Sequence, residues 1–169
     1  MKRDKSIELL NCAVNDELSA VHQYMYFHFR CDDMGYELLS ELFRRVAIQE
    51  MMHVERLAER ILFLKGEVEM IPSHSVTKLT DPEKMLEKAV EMETTTVDDY
   101  NQWALECSTA QDAASKKLFE QLVEEEEVHQ DQFETELDNL GKFGAHYLAL
   151  QSVERSKNVA TATPASPTE

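Results

Sequence analysis

The chain of 169 residues contains 33 acidic residues against 17 lysines and arginines, which gives a formal net charge of −16. This charge repels nucleic acid and anionic lipid and attracts cations, so a generic DNA-binding or membrane-binding protein is excluded. The hydrophobic fraction of 43% is sufficient for one well-buried core, and the length predicts a single domain.

Glycine and proline occur only four times each, which predicts long helices with few connections. A first helix is predicted from Lys5 to Met34, and Gly35 ends it. A second helix is predicted from Tyr36 to Lys65, because its apolar residues recur at three- and four-residue steps. The segment 66–80 lacks a steady period and is predicted to be a long crossover.

The second half of the chain repeats this arrangement. Asp81 and Pro82 form a helix start, and the small and capping residues of 108–112 predict a turn within the long run that follows. A fourth helix is predicted from Ala113 to Leu140. A short fifth helix is predicted for 145–154, after a break at Gly141 and Gly144, and a disordered tail for 156–169. The predicted fold is an all-α four-helix bundle with one long crossover.

Cysteine usage and the lack of targeting patterns bear on the compartment. Cys12, Cys31 and Cys107 share no close spacing, which favours a reducing compartment over a disulfide framework. No apolar run of signal-peptide length follows the basic start, and no uncharged stretch approaches the roughly 20 residues of a membrane span. The sequence predicts a cytoplasmic protein.

A hidden duplication carries the strongest functional signal. Two Glu-x-x-His motifs occur, and in each the glutamate and histidine share one helix face. Glu50 follows Glu17 by 33 residues, and Glu126 follows Glu93 by the same number. The two halves are offset by 76 residues at every matched pair: Glu17/Glu93, Tyr24/Tyr100, Glu50/Glu126 and His53/His129.

Antiparallel packing of these helices predicts that four carboxylates and two imidazoles meet at the centre of the bundle. Buried carboxylates repel one another, and two divalent cations would neutralise them. Oxygen and imidazole ligands suit iron, manganese or zinc. The competing interpretation is coincidence in an acidic protein, since a run such as 124–127 is more often a solvated helix face.

With these residues the sequence resembles the bacterioferritins of the ferritin family over about residues 1–152. The similarity includes the stretches 17–24, 59–66 and 134–137 besides the motif residues. The resemblance implies a ferritin-like four-helix bundle with a short fifth helix and a di-iron centre. It implies that Glu17 and Glu93 are terminal ligands, that Glu50 and Glu126 bridge the two irons, and that His53 and His129 complete one iron each.

The resemblance also implies a haem site and auxiliary electron donors. Met51 occupies the position at which bacterioferritins bind haem iron, with one sulfur from each of two subunits, and Met52 beside it is an alternative. Tyr24 is a candidate catalytic residue as a one-electron donor, and Tyr100 and Trp103 are further candidates.

Some positions depart from the family pattern. Arg45 and Val46 stand where relatives carry a His-Glu pair that binds iron on the cavity side. Leu57 and Gln132 replace aromatic residues near the metals. The route of iron into the cavity and the quenching of radicals are therefore expected to differ from those of the relatives.

The function that the resemblance implies is iron storage. Fe(II) is oxidised by dioxygen or hydrogen peroxide, and ferric mineral is stored in a hollow shell of 24 chains built from haem-bridged dimers, with a ferredoxin as reductant for release. Residues 145, 147, 148 and 150 of the fifth helix are expected at subunit contacts, the alternative being packing on their own bundle. Two other functions remain open: a rubrerythrin-like or erythrin-like di-iron peroxidase, and a non-catalytic haem-binding shell.

Overall fold

The computed structural model describes residues 2–161, and these form five α-helices. The helices are α1 (Lys2–Asp33), α2 (Glu37–Phe63), α3 (Pro82–Thr109), α4 (Ala113–Phe143) and α5 (Ala145–Thr161). The predicted ferritin-like bundle with one long crossover is confirmed. None of the described helices combines the length and the apolar character that crossing a membrane requires.

Tight turns make the helices of each half antiparallel neighbours. Gly35, with φ of +81°, reverses the chain between α1 and α2, where a residue with a side chain would be strained. Gln111, with φ of +60°, lies in the corresponding turn between α3 and α4. Asp81 caps α3 by accepting a hydrogen bond from the backbone of Glu83, as its place before Pro82 predicted.

The crossover between α2 and α3 is fastened along α1 by hydrogen bonds to its backbone. Asn11 donates to the carbonyl of residue 67 and accepts from the amide of residue 69, at 3.0 and 2.9 Å. Gln23 makes the same reciprocal pair with Thr77, at 3.0 and 2.7 Å. These buried amides satisfy backbone groups that have no helical partner, and they hold the crossover against the bundle.

The hydrophobic core is divided into two layers. One surrounds Tyr24, Phe43 and Phe133, and the other surrounds Leu57 and Phe119. Each of the four long helices changes from one layer to the other at its predicted metal ligands: at 17 in α1, 50–53 in α2, 93 in α3 and 126–129 in α4. The polar centre is therefore held at a fixed height between two packed apolar layers.

The end of the chain differs from the prediction. Gly141 lies inside α4, and only Gly144, with φ of +55°, breaks the helix. Helix α5 continues beyond 154 to Thr161, so residues 156–161 of the predicted disordered tail are helical, and 162–169 lie outside the described residues.

The expected place of α5 at subunit contacts is only partly correct. Tyr147 and Leu148 pack on the core of their own bundle, and the hydroxyl of Ser152 faces the carbonyl of Gly35 at 3.5 Å. The reason is that the loop ends beside α5 leave part of the core uncovered, and these side chains cover it. Leu150 points away from the bundle and is 63% exposed.

Candidate metal centre

The six predicted ligands meet in the middle of the bundle, and all four long helices contribute. Each of their side chains is at most 2% exposed; they are Glu17 (α1), Glu50 and His53 (α2), Glu93 (α3), and Glu126 and His129 (α4). Charged residues are almost never buried to this extent unless they are paired or bind a metal.

The six residues form two overlapping sets that could each hold one metal ion. The ligand atoms of Glu17, Glu50, His53 and Glu126 lie within 4.8 Å of one another, and so do those of Glu50, Glu93, Glu126 and His129. Glu50 and Glu126 belong to both sets. The geometry is therefore that of a dinuclear centre in which two carboxylates span both ions.

The Nδ1 atom of each histidine faces this centre. His53 Nδ1 lies 2.9 Å from an oxygen of Glu50 and 2.8 Å from one of Glu126. His129 Nδ1 lies 3.0 Å from the other oxygen of each of the same two glutamates. The near two-fold symmetry of the sequence offsets is thus preserved in three dimensions.

The electrostatics of the centre favour cations. Burial, followed by the charges of neighbouring glutamates, raises the pKa of Glu50 and of Glu126 to about 7. Both oxygens of Glu50 and one of Glu126 make no hydrogen bond within the described chain, nor does Nδ1 of His53. Converging buried lone pairs of this kind suit two divalent ions, whose four positive charges match the four carboxylates.

The histidines also respond to this field. Burial lowers the pKa of His129, but contacts with Glu126 and Glu50 outweigh it and raise the pKa to about 11. Burial raises the pKa of Glu17, but the His53 ring outweighs it and lowers the pKa. Metal binding at Nδ1 must therefore displace protons from the centre.

Two tyrosines connect the halves of the centre reciprocally. The hydroxyl of Tyr24 on α1 donates to Glu93 on α3, and the hydroxyl of Tyr100 on α3 donates to Glu17 on α1, at 2.5 Å. Burial, and then the contacted glutamate, raises the pKa of each phenol well above its ordinary value. Both phenols are therefore protonated donors that orient the terminal carboxylates.

An outer pair of residues supports His53, and the sequence analysis missed it. Nε2 of His53 lies 3.0 Å from Glu125, whose other carboxylate oxygen accepts from Arg56 at 2.6 Å. A carboxylate in this position holds the Nε2 proton of the ring, which leaves Nδ1 free to bind metal. Glu125 was hidden in the acidic run 124–127, although its place directly before Glu126 was a usable signal.

Replacement of Glu125 with alanine is expected to weaken metal binding by about 10- to 100-fold, because the imidazole of His53 loses its orientation and its charge support. Titration of the metal-free protein with Co(II), followed by visible absorbance, measures this affinity. Glu124→Ala is the matched control, since Glu124 is exposed one position earlier in the same run. Equal affinities of the two variants would contradict a supporting role for Glu125.

The positions that depart from the family pattern lie away from the six ligands in contact. Arg45 donates to Gln132 at 3.0 Å and so links α2 to α4 on the surface. Val46 and Leu57 are fully buried in the core. Met51 lies outside the dinuclear centre on the outer surface of α2, where its side chain is 53% exposed.

Comparison with known proteins places this site in a family. The ferritin-like domain family matches residues 7–143. Bacterioferritin of Desulfovibrio desulfuricans is 35% identical over 97% of this chain and 95% of its own. Bacterioferritin of Brucella melitensis is 36% identical over 83% of this chain and 87% of its own, and that of Rhodobacter capsulatus is 34% identical over 89% and 94%.

The fold agrees with a solved structure from the same group. A crystal structure of Desulfovibrio desulfuricans bacterioferritin, which shows that protein's diiron site in different catalytic states, superposes with a TM-score of 0.87. It covers 99% of this chain and 96% of its own at 32% identity.

Proposed function

The chain belongs to the bacterioferritins of the ferritin-like family, and from this membership we propose that it is an iron-storage ferroxidase. It oxidises Fe(II) to Fe(III) at a di-iron centre within each bundle. The observation that carries this conclusion is the pair of overlapping buried ligand sets that share Glu50 and Glu126. The rubrerythrin-like peroxidase and the non-catalytic shell gain no support from a specific feature of the described chain.

The ligand assignment follows from the two sets. Glu17 and His53 hold one iron, Glu93 and His129 hold the other, and Glu50 and Glu126 bridge them. The support is that only the bridging pair lies within ligand distance of both histidines. Carboxylates and imidazoles bind both oxidation states of iron, so oxidation requires no change of ligands.

Bound iron supplies the electrons, two per pair of ions, to dioxygen or peroxide. The protein holds both ions within reach of one oxidant molecule, which is a proximity effect. The apolar layers above and below exclude bulk water from the centre. Tyr24 and Tyr100 keep Glu93 and Glu17 oriented, and we assign Tyr24 the additional role of one-electron donor that its contact with Glu93 makes available.

Anaerobic titration of the metal-free protein with Fe(II) tests the ligand assignment. Binding is expected to saturate at about two ions per chain, since the centre has two ligand sets. Protons are expected to be released at neutral pH, because Glu50 and Glu126 titrate near pH 7 in the metal-free protein and must be ionised to bind iron. Saturation at one ion per chain would contradict the dinuclear assignment.

We further propose that 24 chains form a hollow shell that stores the ferric mineral. Large apolar side chains stay exposed on the single bundle, among them Phe29, Phe63 and Leu105, and subunit contacts would cover them. The net charge of −16 per chain attracts Fe(II). The three free cysteines fit a cytoplasmic location, and a ferredoxin is the proposed reductant for iron release.

Met51 is the proposed axial ligand of a haem shared between two subunits. A thioether is a soft ligand that suits haem iron, and this one is accessible on the outer surface of α2. Ile48, three residues earlier on the same face, is also exposed and offers apolar contact to a porphyrin. When bound, the haem would supply a one-electron redox centre at the dimer axis.

Replacing Met51 with leucine is expected to abolish haem binding, because leucine keeps the apolar volume but has no sulfur. Haem is added to the purified protein, and the porphyrin absorbance that co-elutes on a sizing column is measured. Met52→Leu is the matched control, since Met52 is the adjacent methionine and is 48% exposed. Loss of haem in Met52→Leu and retention in Met51→Leu would reverse the assignment.

A further inference from the structure

We propose that Tyr100 and Trp103 form a one-electron relay from the Glu17 side of the di-iron centre to the protein surface. This inference rests on the proposed ferroxidase function, because the relay operates only when an oxidant reacts at the centre.

The relay is a continuous series of contacts. The hydroxyl of Tyr100 donates to Glu17 at 2.5 Å, so the phenol touches the terminal carboxylate directly. The ring of Tyr100 packs on Trp103 with centroids 5.5 Å apart. Phe119 lies against both rings, at 5.4 and 5.7 Å, and fixes their arrangement. Tyr100 is fully buried, whereas Trp103 reaches the surface and is half-buried.

The other tyrosine at the centre has no such outlet. Tyr24 is fully buried, and its aromatic neighbours are Phe43 and Phe133, with centroids 6.2 and 5.2 Å away. Phenyl rings are far harder to oxidise than phenol or indole, so a radical on Tyr24 stays inside the apolar core. The two halves of the centre are therefore symmetric in their hydrogen bonds and asymmetric in their electron paths. Trp103 is the only tryptophan in the chain.

The relay has a defined chemical task. Hydrogen peroxide needs two electrons and two protons to become two waters, and a centre that holds a single Fe(II) supplies only one electron. Tyr100 supplies the second electron, and its hydroxyl proton moves to Glu17, with which it is already hydrogen-bonded. The balance is one peroxide, one Fe(II), one tyrosine and one proton giving one Fe(III), one tyrosyl radical and two waters.

The second step returns Tyr100 to its resting state. One electron passes from the indole of Trp103 to the tyrosyl radical, and Tyr100 takes its proton back from Glu17. The oxidised indole loses its Nε1 proton to solvent, which reaches Trp103 because this side chain is only half-buried. The oxidising equivalent thus leaves the ligand sphere of the metal and ends on a surface residue, where an external reductant can quench it.

The experiment is freeze-quench electron paramagnetic resonance of protein loaded with one Fe(II) per chain and mixed with hydrogen peroxide. The wild type is expected to give a tryptophanyl radical. Trp103→Phe keeps an aromatic ring beside Tyr100 and is expected to replace this signal with a longer-lived tyrosyl radical. Tyr100→Phe is expected to lose the tryptophanyl signal, and Tyr26→Phe, a tyrosine on α1 packed against Phe27, is the control that retains it.

A second readout is chemical. After repeated loading with iron and peroxide, peptide mass spectrometry is expected to find oxygen added to Trp103 in the wild type and not in Tyr100→Phe. A tryptophanyl radical that survives in Tyr100→Phe and disappears in Tyr24→Phe would overturn the relay. So would the absence of any Trp103 oxidation in a wild type that oxidises Fe(II). A wild type that fails to oxidise Fe(II) would contradict the proposed function itself, and the relay with it.

Discussion

Replacing Glu126 with glutamine is expected to lower the initial rate of Fe(II) oxidation by more than about 100-fold, because a carboxylate shared by both ligand sets loses its charge. Glutamine has nearly the same shape, so the apolar layers on either side remain packed. The rate is followed by the absorbance of Fe(III) after aerobic mixing. Glu127→Gln is the matched control, because Glu127 is the exposed neighbour on the same helix.

The same variant separates a catalytic centre from a structural one. In the metal-free protein, burial and the charges of Glu50 and Glu17 act against ionised Glu126, which raises its pKa to about 7. A neutral glutamine removes this repulsion, so the free energy of unfolding of the metal-free variant is expected not to fall. A non-catalytic shell predicts the opposite: weaker folding or assembly together with an unchanged oxidation rate.

Replacing Asp112 with alanine is expected to lower the free energy of unfolding of the metal-free protein by about 3 kcal/mol. Asp112 is 9% exposed and caps α4 by accepting from the amide and hydroxyl of Ser115, at 3.2 and 2.7 Å. It also accepts from Arg60 on α2 at 2.6 Å. Loss of the cap costs about 1 kcal/mol, and leaving the mostly buried guanidinium without its partner costs on the order of 2 kcal/mol.

Urea-induced unfolding at one fixed protein concentration measures this effect. Burial raises the pKa of Asp112, but hydrogen bonds from Ser115 and the charge of Arg60 outweigh it and lower the pKa. A lowered pKa stabilises the fold above the ordinary carboxyl value, and this stabilisation is lost as the pH falls towards the lowered one, so the difference from wild type is expected to shrink below about pH 4. Asp138→Ala, which removes an exposed pair with Lys142, is expected to change stability by less than about 0.5 kcal/mol. Equal stability of the two variants would contradict the role of Asp112.

Much of the fold could be predicted because it depends on local signals. Gly35 and the pair Asp81–Pro82 have fixed backbone preferences, so the helix ends that they mark were found within a few residues. The six buried ligands could be found because both halves repeat one spacing, and because helical geometry converts that spacing into a common height in the bundle.

The rest depends on contacts between distant parts of the chain. Glu125 supports His53 only because α2 and α4 face each other there, and an acidic run does not reveal which of its members points across. The hydrogen bonds of Asn11 and Gln23 to the crossover are equally invisible in the local pattern. Helix α5 was predicted too short because residues 155–161 carry neither a helix stop signal nor a strong apolar period.

The central claim is that the buried ligand sets oxidise iron for storage, and one measurement tests it most directly. Excess Fe(II) is added aerobically to the metal-free protein, the products are separated by size, and the iron in the large-particle fraction is assayed. The account predicts rapid oxidation, with far more ferric iron retained in a large assembly than the two ions per chain that the centre itself can hold. A small oligomer that oxidises Fe(II) without retaining it would contradict storage, and a lack of oxidation would contradict the ferroxidase assignment.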